Sequence, residues 1–407
     1  MKKLSILIIA PDFYPKIGGM EIIATELSIK LSQIPSLKIY VITNRENLVN
    51  TENQEFQFDI LYVLTNNYSR NIFTILKLIS RLNIKGIFCT NSGYSIISLF
   101  TLKPVYVITA ANDFLRSWIG PKLPLWEYIY YHRLKKIFPL ILWYNNVGKV
   151  KYRNIFAILG LKSCRLIFAN SEWTKLQLIK RQIKNSKIIC IPGGVDTNIF
   201  FPMEKIDSRK KTNLPENKNI IVSLSHLIKV KGLHLSIPII ADIIQTNPDI
   251  EYHIFGRGSQ RDRINNQIKE LKCENKIFIH DEIQHKDITM IINSADILLQ
   301  LSVPAWDKNT NSYHIESMGL VLCEANACGT PVIASNCGGI PSVITDNYNG
   351  LLVDPLNTHA VKKAINRILK NNSLKTKLIQ NGLKRAKNEF SLEIIIKKII
   401  RSIIDET

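Results

Sequence analysis

Two glutamates, Glu316 and Glu324, stand eight positions apart in the run HIESMGLVLCEANACGTPVIASNCGGIP, His314 to Pro341, whose other residues are mostly apolar or small. A helix beginning near Gly319 puts Glu316 in the loop before it and Glu324 in its second turn. The unpaired N–H groups of Met318, Gly319, Leu320 and Val321 then point at an anion, while two carboxylates can accept hydrogen bonds from sugar hydroxyls. Glu324 as a solvent-facing residue fits poorly with Val321, Leu322 and Cys323 before it and Ala325 and Ala327 after it. A carboxylate in that company needs a partner, because burying it alone is costly.

Three further features carry weaker signals. In PKIGGMEIIATEL, Gly18 and Gly19 follow an apolar run and precede a helical pattern, where they either let amides approach a phosphate at a helix N-terminus or simply make a turn. In SLSHLIKVKGLHL, Lys231 and Gly232 open a helix, so Lys231 can neutralise a phosphate as a point charge and His226 can add a donor; a solvated lysine at a loop is the alternative. In IFGRGSQRDRI, Gly256 and Gly258 suit a tight turn against a nucleotide, but G-x-G alone is an incomplete dinucleotide fingerprint.

These residues need strands and helices to hold them, and the pattern supplies both. Short apolar runs at Leu4 to Ala10, Lys38 to Thr43, Ile60 to Leu64, Gly86 to Cys89, Val105 to Thr109, Leu166 to Ala169 and Ile188 to Ile191 alternate with helical stretches such as Met20 to Gln33 and Ile72 to Leu82. The rhythm repeats from Asn219 to Leu224 onward, through Glu251 to Phe255, Ile277 to His280, Ile297 to Gln300 and Pro331 to Ala334. Strands alternating with helices imply parallel sheets covered on both faces, hence an α/β chain of two Rossmann-like domains. We expect an N-terminal domain over 1–195, a linker over 196–218 that is rich in Pro, Gly and charge, a second domain over 219–390, and a last helix near 391–407 that packs back on the first domain. The cleft between the carboxyl ends of the two sheets is the expected site.

Composition bounds the partners. The chain has 407 residues, 46% of them hydrophobic, which suits two folded domains. Its seven cysteines are scattered without a Cys-x-x-Cys pair, which argues for free thiols and against a zinc site or a disulfide framework. The start MKKLSILIIAPDFYP imitates a signal peptide but reads as a first strand, and no run reaches ~18 apolar residues, so the expectation is a cytoplasmic protein. Net charge is +20 and uneven: residues 1–200 hold 26 Lys and Arg against 11 Asp and Glu, and Phe114 to Ser186 alone holds 14 against two. The basic and aromatic mixture YIYYHRLKKIFPLILWYNNVGKVKYRN, Tyr128 to Asn154, suits either an anionic membrane surface or a solvated face. Nucleic acid is disfavoured, since no recognised nucleic-acid motif accompanies the charge.

The run from Glu316 to Pro341 resembles the signature of the retaining GT-B glycosyltransferases of family 4, the glycosyl transferases group 1: E-x7-E, then ACGTPVIAS and the pair Gly338–Gly339. GGMEIIATEL, ANSEWTK, IPGGVDTNIFFP, VKG and NGLLVDP are similar to further motifs of that family, in order, over nearly the whole chain. The resemblance implies that Glu324 holds the ribose of a nucleotide donor and Glu316 binds hydroxyls of the donor sugar. Lys231 neutralises the diphosphate with the amides of Met318, Gly319 and Leu320, Gly18 and Gly19 line the pocket from the other domain, and His226 and Gly256 complete the donor site. It also implies no cofactor and no metal, and a nucleoside-diphosphate sugar, UDP-linked ahead of GDP-linked, as donor. A lipid-linked or glycan acceptor at the inner face of the membrane, in capsule, O-antigen or exopolysaccharide assembly, follows from the same resemblance. Three departures stand out. Ser225–His226–Leu227 replaces the family's Gly-Arg-Leu. TAAND, with Asn112 and Asp113, replaces a histidine near the donor sugar, so either Asp113 or Glu316 is the candidate base. The stretch Pro304 to Glu316, with Tyr313 and His314, is longer than the usual loop. A sugar-nucleotide epimerase and a non-catalytic nucleotide-sugar binding subunit are the alternatives.

Overall fold

The computed structural model describes residues 3–14, 19–50, 56–110, 112–115, 149–281, 283, 285–307 and 312–405. Strands β1 (Leu4–Ile9), β2 (Leu37–Asn44), β3 (Asp59–Leu64), β4 (Ile84–Cys89), β5 (Val105–Thr109), β6 (Leu166–Ala169) and β7 (Ile188–Cys190) form a seven-stranded sheet in the order β3-β2-β1-β4-β5-β6-β7. All its pairings are parallel. Parallel strands need crossovers, and both faces of such a sheet must be covered. One face is covered by helix Tyr68–Arg81, the 3-10 helix Ser92–Leu99 and helices Lys149–Ser163 and Glu172–Ile179, which share a core with Leu7, Ile42, Ile87 and Val107. The other is covered by helices Gly19–Ser32 and Leu392–Ile404, whose Ile23, Leu27, Ile395 and Ile399 pack with Ile8, Val41 and Phe88.

A second parallel sheet follows: β8 (Asn219–Leu224), β9 (Ile250–Phe255), β10 (Ile277–His280), β11 (Ile297–Gln300), β14 (Val332–Ser335) and β15 (Leu351–Val353), ordered β10-β9-β8-β11-β14-β15. Between β11 and β14 lies an antiparallel hairpin of β12 (Ala305–Asp307) and β13 (Ser312–His314), which accounts for the long polar stretch before Glu316. The chain is therefore α/β, with two doubly wound sheets. In each sheet the strand order reverses once, between β1 and β4 and between β8 and β11, which marks the crevices where such sheets take ligands.

One stretch differs from the sequence expectation. The segment 196–218, read as a linker, contains helix Lys205–Thr212, which lies against helix His285–Ser294 of the second sheet. Its Arg209 is buried and donates to the Ser294 carbonyl at 3.0 Å and to Asp296 Oδ2 at 2.7 Å. A run as charged as KIDSRKKT has almost no apolar periodicity, so only tertiary contacts reveal it as a helix.

The chain passes between the two halves twice, side by side. Val195 N–H donates to the Phe390 carbonyl at 2.8 Å and Leu392 N–H donates to the Val195 carbonyl at 2.9 Å.

Candidate active site between the two sheets

The second sheet builds the site at its switch point. β8 leads through a 3-10 turn, Lys229–Lys231, into helix Leu233–Thr246, and Gly232 caps that helix with φ of +68°. A Cβ at Gly232 would lie 1.8 Å from the Leu301 carbonyl oxygen, so the turn can press against the end of β11 only without a side chain. That close approach brings Lys231 to Glu316. Its Nζ lies 2.6 Å from Glu316 Oε2, with the lysine side chain 19% exposed and the glutamate 13%. Lys231 is therefore held in a pair, which removes the solvated-loop alternative.

Glu316 Oε2 accepts two further bonds, from Gln300 Nε2 at 2.9 Å and from the Ser302 hydroxyl at 3.3 Å. Gln300 is 5% exposed at the end of β11, and its own Oε1 has no hydrogen-bond partner. Neither residue stands out in the sequence, because a neutral polar side chain at a strand end carries no motif.

Gly338 and Gly339 hold the loop that carries Glu316. Gly338 has φ of +56° and would clash through a Cβ with the Glu316 carbonyl, while Gly339 N–H donates to that carbonyl at 2.9 Å. The loop continues into helix Leu320–Ala327, whose N-cap Gly319 lies in the left-handed region and has no side-chain cap. The first-turn amides beside Met318, Gly319 and Leu320 are thus left to whatever occupies the crevice. Inside that helix Glu324 is 9% exposed, and burial pushes its carboxyl up to about 7.

The first sheet meets this loop. Gly19, the first residue of its helix, lies so close to Leu320 that a Cβ there would sit 3.1 Å from the Leu320 side chain. Gly193 N–H points at Met318 Sδ, 2.8 Å away, and Glu172 N–H donates to the Ser342 hydroxyl at 3.0 Å. Gly18 falls outside the described residues.

The remaining predicted residues are placed as follows. His226 is exposed just after β8, and Gly256 follows β9 with its backbone packed on the Ser225 carbonyl, so the two lie on adjacent strand ends. Asp113 stands at the end of β5, where its Oδ2 accepts from the Ala110 amide at 3.0 Å and the Thr109 hydroxyl at 3.3 Å; these bonds order the strand end. Tyr313 and His314 belong to β13, which pairs Trp306 with Tyr313 and Ala305 with His314. Next to Gly256, His253 Nδ1 and His280 Nε2 are 2.9 Å apart, and the His280 ring stacks on Phe255. Burial, then His280 and Arg209, hold His253 down at about 3, so the 3.4 Å approach of its Nε2 to Glu251 is not an ion pair.

Comparison with known proteins bears on the family and the fold. Residues 204–385 match the model of the family described as glycosyl transferases group 1. The chain is 27% identical over 172 residues to the D-inositol 3-phosphate glycosyltransferase of Segniliparus rotundus, covering 41% of this chain and 36% of that one, so it spans little more than a third of that relative's length. Among solved structures it resembles Anabaena HepE in complex with UDP and glucose, with a TM-score of 0.73 at 17% identity over 99% of this chain and 100% of that one. It also resembles WaaG, a glycosyltransferase involved in lipopolysaccharide biosynthesis, with a TM-score of 0.68 at 15% identity over 97% and 98% of the two chains. Residues 204–385 therefore carry the glycosyl transferases group 1 signature, and the two sheets have the GT-B fold of the glycosyltransferase structures they resemble.

Proposed function

We propose that the chain is a retaining, metal-independent glycosyltransferase. It moves a hexosyl group from a nucleoside-diphosphate sugar, UDP-linked ahead of GDP-linked, to a lipid-linked or polysaccharide acceptor at the cytoplasmic face of a membrane, in capsule, lipopolysaccharide O-antigen or exopolysaccharide assembly. The observation that carries this reading is the Lys231–Glu316 pair beside an uncapped helix N-terminus, at the switch point of the second sheet and facing Gly19 of the first. An ammonium and a row of oriented amides are the groups a departing diphosphate needs, and a preorganised set of donors can stabilise that charge without a metal ion.

In this reading the empty site is self-neutralised. Lys231 leans on Glu316 until a diphosphate arrives and takes the lysine. Glu316 then keeps Gln300 and Ser302 on Oε2 and offers Oε1 to a sugar hydroxyl. Glu324 takes the ribose, and Met318, Gly319 and Leu320 offer amides to the phosphates. Gly18 and Gly19 close the pocket from the first sheet, with His226 and Gly256 at the nucleotide side. Asp113 orients the sugar or removes the acceptor proton. The preference for UDP is supported by HepE, described with UDP and glucose. The glycan role is supported by WaaG.

The test is a thermal-shift panel of UDP-, GDP-, ADP- and TDP-sugars with chelator present, on the natural protein and on Glu324→Ala and Lys231→Ala. Stabilisation by one nucleotide class that both substitutions abolish is expected, followed by transfer with retention seen by NMR of the product. No shift with any nucleotide sinks the donor site. Binding with no transfer to any lipid-linked acceptor leaves a binding subunit, and release of free sugar an epimerase.

A further inference from the structure

The helices on the two faces of the first sheet differ in charge. Gly19–Ser32 and Leu392–Ile404 on one face carry Glu21, Glu26 and Glu393 against Lys30, Lys397, Lys398 and Arg401, close to balance. On the other face, helix Glu172–Ile179 balances Glu172 with Lys175, but helix Tyr68–Arg81 carries Arg70, Lys77 and Arg81 with no acid, and helix Lys149–Ser163 carries four bases with no acid. No Asp or Glu occurs between Ile60 and Asn112. The same face exposes large apolar side chains that have no structural need to be wet. Phe73 of helix Tyr68–Arg81 is 60% exposed; Phe100 and Leu102, in the turn that follows the 3-10 helix, are 51% exposed and fully exposed; Leu99 of the 3-10 helix and Leu159 of helix Lys149–Ser163 are also uncovered. The 3-10 helix Ser92–Leu99 touches both helix Tyr68–Arg81 and helix Lys149–Ser163, and the three share one core, so they form one layer.

We infer that this layer, with Phe73, Phe100 and Leu102 as apolar anchors set among Arg70, Lys77, Arg81, Lys103 and Lys162, is the surface by which the protein docks on an anionic lipid bilayer. Charge complementarity selects the sign of the partner, and the apolar anchors select its kind. A nucleic acid or an acidic polysaccharide binds through charge and gives nothing to an exposed Leu or Phe, whereas a lipid interface takes both. Singly exposed apolar residues are ordinary on a protein surface; several of them on one acid-free layer are not. This inference rests on the membrane contact in the function proposed above and assigns it to a face distinct from the donor crevice.

The experiment is co-sedimentation of the full chain with vesicles of phosphatidylcholine alone and of phosphatidylcholine mixed with phosphatidylglycerol. It uses the natural protein, the apolar variant Phe73→Ser/Phe100→Ser/Leu102→Ser, and the charge variant Arg70→Glu/Lys77→Glu/Lys162→Glu. Circular dichroism and the nucleotide thermal shift, which report a site on the other sheet, check that each variant is folded. Binding to the anionic vesicles only, reduced about tenfold or more in both variants, is the expected result. Natural protein that binds the two vesicle types equally poorly overturns the face and the membrane reading together, while leaving donor binding intact. Natural protein that binds but variants that bind equally well overturn the face alone. If only the charge variant fails, the surface is a polyelectrolyte site and the lipid assignment is wrong.

Discussion

Glu324 sits in the second turn of a helix with apolar neighbours on either side, and burial raises its carboxyl to about 7. A carboxyl raised in the folded state stays protonated while the unfolded chain, near 4.5, has already ionised. Its contribution to stability is therefore full below about pH 4.5 and is lost as pH rises to about 7, by at most roughly 3 kcal/mol. Melting temperature of the ligand-free protein across this window is expected to fall less in Glu324→Gln than in the natural protein. Identical slopes in the two would remove the buried, uncompensated carboxyl. Glu316 and Glu324 were both legible in the sequence because a carboxylate among apolar residues is conspicuous. Gln300 and Ser302 were not, since their importance comes only from the Glu316 oxygen they share.

Elements that rest on periodicity were legible to within a few residues: β5, β6, β8, β10 and β11 have the bounds their apolar runs predict. Elements that rest on long-range contacts were not. Helix Lys205–Thr212 is fixed by Asp296, at the start of β11, which takes Arg209 and Lys205 each at 2.7 Å, Lys375 at 3.4 Å and the Ile220 amide at 2.9 Å. Burial alone would raise the Asp296 carboxyl, but Lys205, the Ile220 amide and Lys375 together bring it below the usual aspartate range. Removing the charge leaves the buried Arg209 guanidinium without its carboxylate. Asp296→Asn is expected to cost about 3–5 kcal/mol, read as a lower urea midpoint at unchanged slope. A loss under about 1 kcal/mol would mean that the cluster behaves as a surface ion pair. The hairpin β12–β13 escaped the sequence for a related reason, since three-residue strands are too short to show an alternating pattern.

At the scale of the whole molecule, helix Leu392–Ile404 belongs by position to the end of the chain and by packing to its beginning. Ile395 and Ile399 are fully buried against Ile23, Leu27 and Phe88. Ile395→Ala is expected to cost about 2–5 kcal/mol and to speed hydrogen exchange in helix Gly19–Ser32 before it affects β8 or β11. Uniform acceleration over both sheets would show instead that the molecule opens as one unit.

The same packing sets an order of events during synthesis. The first sheet is translated long before the helix that closes one of its faces, and the whole second sheet is made in between. While the ribosome works through those residues, the apolar groove between helix Gly19–Ser32 and the strands beneath it stays uncovered. The half that is made first is finished last, and its apolar groove stays open to other apolar surfaces until residues 392–404 emerge.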